Sequence, residues 1–180
     1  MNSIQGPALF LAQFVRDVAP LATLENICSW AASLGYKGVQ VPAWEDPRFI
    51  DLRMAAESRT YCDDWRARLA KCGVQLTELN AALAGQVLAM HPAYAAAFQP
   101  FYPAGLDDPA RAAWATEKLR LTLRAAANLG TSCVPVLSGG FAWHLAYPWP
   151  QRPAGLIDEA FAELARRWRP LLNFAGDLGL

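Results

Sequence analysis

The chain has 180 residues, 54% hydrophobic and 18% charged, and its 16 basic and 16 acidic residues balance to zero net charge. That balance excludes a nucleic-acid-binding polycation or an acidic tail. The charged share lies below the usual ~25%, so much of the surface expects to be covered. Four cysteines lack CxxC spacing, and the two histidines, His91 and His144, are far apart. This argues against a zinc cluster or a disulfide framework and for reduced thiols in the cytosol. Met1 to Pro7 lacks a basic signal-peptide start. The most apolar long stretch, Ala81 to Phe101, is broken by Gln86, His91, Pro92 and Gln99, too polar to cross a membrane. A cytoplasmic protein without nucleic-acid or membrane partners is expected.

Pro7 to Phe14 is a short apolar run that reads as a first strand buried on both faces. Leu21, Leu24, Ile27, Cys28, Ala31 and Leu34 follow at helical spacing, with Thr23 as N-cap and Glu25 in the first turn. Gly38 to Trp44 reads as a second strand, and Tyr61, Trp65, Leu69 and Cys72 mark a second helix face. Val74 to Leu83 reads as a third strand. The long segment from Ala84 to Leu106 should be functional or hold local structure. Asp108-Pro109 predicts an N-cap followed by a helix to Leu129. Ser132 to Leu137 reads as a fourth strand, and Ser138 to Pro153 as a second long loop. Leu156, Phe161, Leu164, Ala165 and Trp168 line a last helix, which Pro170 should kink or interrupt.

The order is β-α-β-α-β-α-β-α over residues 1–180 as one domain, which implies a parallel sheet with helical crossovers. An open doubly wound sheet and a (β/α) barrel compete. No strand is followed by GxGxxG or GxxxxGK[ST], so the open nucleotide-binding sheet lacks its signature. Long loops follow strands two, three and four, at the end where barrel active sites are built. Three helices close on Gly35, Gly73 and Gly130 and hand over to strands. A fourth reaches Gly179, so a further strand is due at Leu180. The pattern therefore reads as a half barrel: four βα units of an eight-unit TIM barrel.

Pro7 to Phe14, Gly35-Tyr36-Lys37-Gly38-Val39-Gln40, Thr77-Glu78-Leu79, Met90-His91-Pro92-Ala93-Tyr94, Leu137-Ser138-Gly139 and Tyr147-Pro148-Trp149-Pro150-Gln151-Arg152-Pro153 resemble the sugar phosphate isomerase/epimerase family, the xylose-isomerase-like TIM barrels. The resemblance spans the whole chain but only the first half of that barrel. It implies a divalent metal ion and proton transfer beside a sugar carbonyl through an enediolate. The metal ligands it implies (Glu, Asp, His and Glu) fall on strands five to eight, so none is assigned to a residue of this chain. The isolated chain is expected to be inactive.

Within that frame the candidate catalytic residues are Glu78 and His91. Glu78 lies in an apolar strand, where a carboxylate needs a partner; it either lines the barrel mouth or pairs with a basic residue. His91 either bonds a substrate hydroxyl or metal-bound water, or is satisfied by backbone. Candidate substrate-binding residues are Trp44, Ser138, Trp143 and His144. Ser138-Gly139-Gly140 offers backbone N–H groups to an anion or is an ordinary strand exit. The aromatic residues suit the C–H face of a sugar or simply pack. A rival to the enzyme reading is a non-catalytic, ligand-binding homodimer formed through open sheet edges.

Overall fold

Helix α1 (Leu24–Ser33) begins where the sequence says it should. Thr23 Oγ1 accepts the Asn26 backbone N–H at 3.4 Å, and Glu25 sits in the positively polarised first turn. Its apolar positions Leu24, Ile27, Cys28 and Ala31 are fully buried. Gly35 closes the helix at φ +92°, a conformation that strains any residue with a Cβ. Gly73, Gly130 and Gly179 take the same region.

The computed structural model describes residues 4–44, 46–145, 149 and 151–180. Among these, strands β1 (Ala8–Phe10), β2 (Gly38–Pro42) and β3 (Gln75–Asn80) form a parallel sheet in the order β1-β2-β3. Helices α2 (Leu52–Glu57), α3 (Arg59–Lys71), α4 (Ala82–Leu88), α5 (Ala95–Phe98), α6 (Asp108–Leu129) and α7 (Leu156–Asp177) complete the α/β architecture. Sequential order of parallel strands is the arrangement βα units produce. The chain divides into two compact units. The first comprises Met1–Ala81, Leu121–Pro135 and Leu178–Leu180; the second comprises Ala82–Arg120 and Val136–Asp177.

In the first unit, Val39, Val41 and Leu79 turn one face of the sheet toward α1, α3 and the end of α6. There they pack with Ile27, Ala31, Trp65, Leu69, Ala126 and Leu129. The buried Trp65 indole donates to the Phe49 carbonyl at 2.8 Å, so burial leaves no orphaned N–H. Alternation puts Gln40, Glu78 and Asn80 on the opposite face, away from the helices.

That alternation is not regular. Val39 pairs with Leu76 but Gln40 pairs with Glu78, so Thr77 is an extra residue in β3. Leu76 and Leu79 are three apart, an odd spacing that cannot lie on one face of an unbroken strand. The bulge at Thr77 reconciles them and turns Glu78 away from the helices.

The second unit is held by a side chain that the sequence alone does not single out. Arg167 of α7 is 15% exposed. It donates to Glu163 at 2.7 Å and to the Leu88 carbonyl of α4 at 2.9 Å, and lies 4.7 Å from the Phe141 ring centroid. Asp108 at the start of α6 approaches it at 3.7 Å and pairs with the nearly buried Arg111.

Several elements differ from the sequence expectations. The third strand stops at Asn80, and α4 begins at Ala82 instead of extending the strand to Leu83. The first is three residues long and leads into a 3-10 turn at Leu11–Gln13. The fourth run, Ser132 to Leu137, carries no ladder. Its backbone tie to β3 is the Ala81 N–H to the Pro135 carbonyl at 2.9 Å, and Pro135 has no N–H to donate in return. Cys133 in that run is exposed, whereas Cys28 and Cys62 are buried. The α6 cap is Asp107, which accepts from Ala110 N–H; Asp108 is already helical. Helix α7 runs unbroken through Pro170, anchored on either side by Arg167 and the buried Leu171. Glu45, Tyr147, Pro148 and Pro150 lie outside the described residues.

Candidate functional site

Two groups of polar and aromatic side chains stand out, one in each unit. In the first, Asn80 Nδ2 donates to Gln40 Oε1 at 2.8 Å, and Gln40 Nε2 donates to Glu78 Oε2 at 2.8 Å. Thr77 Oγ1 lies 3.3 Å from the same oxygen and donates to the Val39 carbonyl at 3.0 Å. The direction of donation is fixed along the row. Each amide is oriented by the next, and the row ends on a carboxylate that acts as acceptor. The other carboxylate oxygen faces the Cys133 thiol at 3.9 Å. Partial burial pushes the Cys133 thiol above its usual range, and the negative Glu78 carboxylate adds to that shift.

Glu78 lies against an amide, a hydroxyl and a thiol, and none of these three is a basic side chain. Trp44, two residues beyond β2, is half-buried in the same unit. Gln40 and Asn80 are the members that sequence reading missed. The odd Leu76–Leu79 spacing is the signal that would have found them, because it forces the bulge that sets Gln40 against Glu78.

In the second unit, residues far apart in sequence meet. The His91 and His144 rings meet with centroids 4.3 Å apart, tilted at 43° to each other. Tyr94 packs edge-on to both His91 and Trp143, at 6.3 and 5.3 Å, and Phe98 lies 5.7 Å from Trp143. His91 Nδ1 accepts the Ala93 N–H at 3.2 Å and caps the 3-10 turn Pro92–Tyr94. That bond places the proton of a neutral His91 ring on Nε2. Ser138 is exposed, and its carbonyl accepts from the Trp168 indole at 2.8 Å. Gly139 has φ +71°, and a Cβ there would lie 2.4 Å from the Ala89 carbonyl oxygen. Only glycine allows so close a backbone approach.

A divalent metal is implied by the resemblance. Among the described residues no three His, Cys, Asp or Glu side chains gather to hold one. Glu78 is surrounded by amide and hydroxyl groups and His91 by rings, which does not make a metal centre. Among the described residues no helix is long and apolar enough to cross a membrane.

The chain is similar in structure to the xylose isomerase domain protein from Planctomyces limnophilus, with a TM-score of 0.56 at 19% identity. That likeness covers 99% of this chain and 53% of the other, so the chain spans about half the length of that protein. No curated protein matches the chain. The xylose isomerase-like TIM barrel family model matches residues 28–180. The three parallel strands in sequential order, with helices on one face, are a partial barrel of that type, and the chain belongs to the xylose isomerase-like TIM barrel family.

Proposed function

We propose that the chain supplies substrate-binding elements of a sugar isomerase or epimerase that moves a proton beside a carbonyl through an enediolate. The observation that carries this reading is the oriented row Asn80–Gln40–Glu78 on the sheet face turned away from the helices. In a closed barrel that face is the interior. A carboxylate held there by one oxygen presents the other to a polyol hydroxyl, which donates to it. Charge-assisted bonds of this kind are about twice as strong as neutral ones. His91, His144 and Trp143 offer ring faces and imidazole nitrogens suited to a sugar's C–H surface and hydroxyls. No metal step is derived, because these residues do not form a metal centre.

The reading assigns sugar binding to the chain, with little turnover by these residues alone. Saturation-transfer NMR on the purified chain with a panel of aldoses and ketoses tests the first part. Transfer to sugar protons is expected, weakened in Glu78→Gln; its absence for every sugar overturns the reading. Incubation in D2O with Mg2+ or Mn2+ tests the second, and rapid deuterium incorporation beside the carbonyl would overturn it.

A further inference from the structure

The apolar arc of α7 is wider than its own unit covers. Arg167, Leu171 and Phe174 point inward: Arg167 reaches Leu88, Leu171 is 2% exposed and Phe174 meets Arg120 at 5.0 Å. At about 100° per residue, a second stripe runs beside them through Ile157, Phe161, Ala165, Trp168 and Leu172. Phe161 and Leu172 are 63% and 64% exposed, and Ile157 is 37% exposed. The stripe follows a helix of 22 residues, about 33 Å long.

Its rim is charged with a definite polarity. Acidic Asp158 lies in the first turn and basic Arg169 eleven positions later, both exposed and both on the same side of the stripe. An antiparallel two-fold centred between Leu164 and Ala165 sets Ile157 against Leu172 and Phe161 against Trp168. It also brings Asp158 of each helix close to Arg169 of the other. A two-fold interface requires one patch to be complementary to itself. This stripe is so in shape, in apolar pairing and in charge.

We propose that the exposed face of α7 is a self-association surface whose occupant is α7 of a second copy of this chain, paired antiparallel. The contact is independent of the sheet edges. A single helix pair lies at the low end of specific interfaces, on the order of 1,000 Å², so reversible association at micromolar concentration is expected.

Sedimentation velocity of the purified chain tests this. A concentration-dependent monomer–dimer equilibrium is expected, and Phe161→Asp should weaken it by at least about tenfold. Asp158→Arg alone should weaken it, and Asp158→Arg with Arg169→Asp should restore it. In a Cys133→Ser background, Ala165→Cys should form a disulfide-linked dimer on mild oxidation, because residue 165 lies beside the two-fold. A monomer at all concentrations overturns the proposal, as does a dimer indifferent to Phe161→Asp or a charge swap that fails to restore association.

Discussion

The Gln40 carboxamide donates to the Glu78 carboxylate at 2.8 Å, and the two meet because β3 carries one residue more than β2 requires. Were Thr77 paired with Gln40 instead of bulged, Glu78 would oppose Val41 on the helix-facing side, where a carboxylate has no partner. Deleting Thr77 removes only the unpaired residue, so it should leave Gln40 opposite Glu78 and Val41 opposite Leu79 in an unbroken ladder. The expected loss is about 1 kcal/mol, from the Thr77 hydroxyl bond to the Val39 carbonyl, with the first unit still folded, as read by urea denaturation and circular dichroism.

Changing Gln40 separates orientation from packing. Gln40→Leu leaves Glu78 without its amide donor and should cost about 1–2 kcal/mol. Gln40→Glu sets two carboxylates within hydrogen-bond reach. That variant should be the less stable of the two at pH 7 and should recover as the pH falls toward 5, where a proton can be shared. A denaturation midpoint that does not respond to pH in this variant would count against the contact.

Arg167 ties α7 to Glu163, to the end of α4 and to the Phe141 ring. Arg167→Ala should destabilise the second unit by about 1–3 kcal/mol, because it leaves the Leu88 carbonyl without its donor and removes one of the two arginines on Glu163. Arg167→Lys should recover only part of this, since an ammonium cannot span three partners in a planar fork. Thermal unfolding of the three proteins checks the order.

Glu163 gives this unit an acid limb. Bonds from Arg166 and then Arg167 hold its carboxyl down at about 2, against an ordinary value of 4.5. A carboxyl whose folded value is depressed stabilises the fold above its unfolded value and loses that contribution as pH falls through the folded one. Stability should therefore decline between about pH 5 and pH 2. Glu163→Gln should flatten that slope and cost about 0.5–1 kcal/mol at pH 7, the size expected of a partly exposed ion pair.

The cysteines should differ in reactivity in a fixed order. Burial pushes the Cys28 thiol up to about 12, and it is fully buried, so it should resist iodoacetamide until the protein unfolds. Cys133 is exposed and should react first, yet more slowly than a free thiol, because partial burial and then the Glu78 carboxylate raise its thiol. Glu78→Gln should speed Cys133 alkylation severalfold at pH 7.5, as read by mass spectrometry.

Local chemistry made much of this protein legible from its sequence. Thr23 as a cap, the glycines that end helices, the order of β and α elements and the apolar faces of α1 and α3 all depend on neighbours within a few residues. These properties sufficed to indicate a barrel of parallel βα units. Where the sequence misled, a distant or competing partner intervened. Pro135 removes a donor that a fourth ladder needs, Asp107 takes the cap ahead of Asp108, and the anchoring of α7 by Arg167 and Leu171 carries the helix through Pro170.

The candidate site divides the same way. Glu78 and His91 stood out by type and position, but their partners did not. Gln40 lies 38 residues from Glu78, and His144 lies 53 from His91. Strand register and the Thr77 bulge decide the first meeting, and the packing of two separate turns decides the second. The sequence by itself determined the kinds of element and the residues able to do chemistry, because propensity, capping and periodicity are local. Tertiary structure alone decided which of those residues meet and which way each donor points, because those depend on contacts the chain makes only once it is folded.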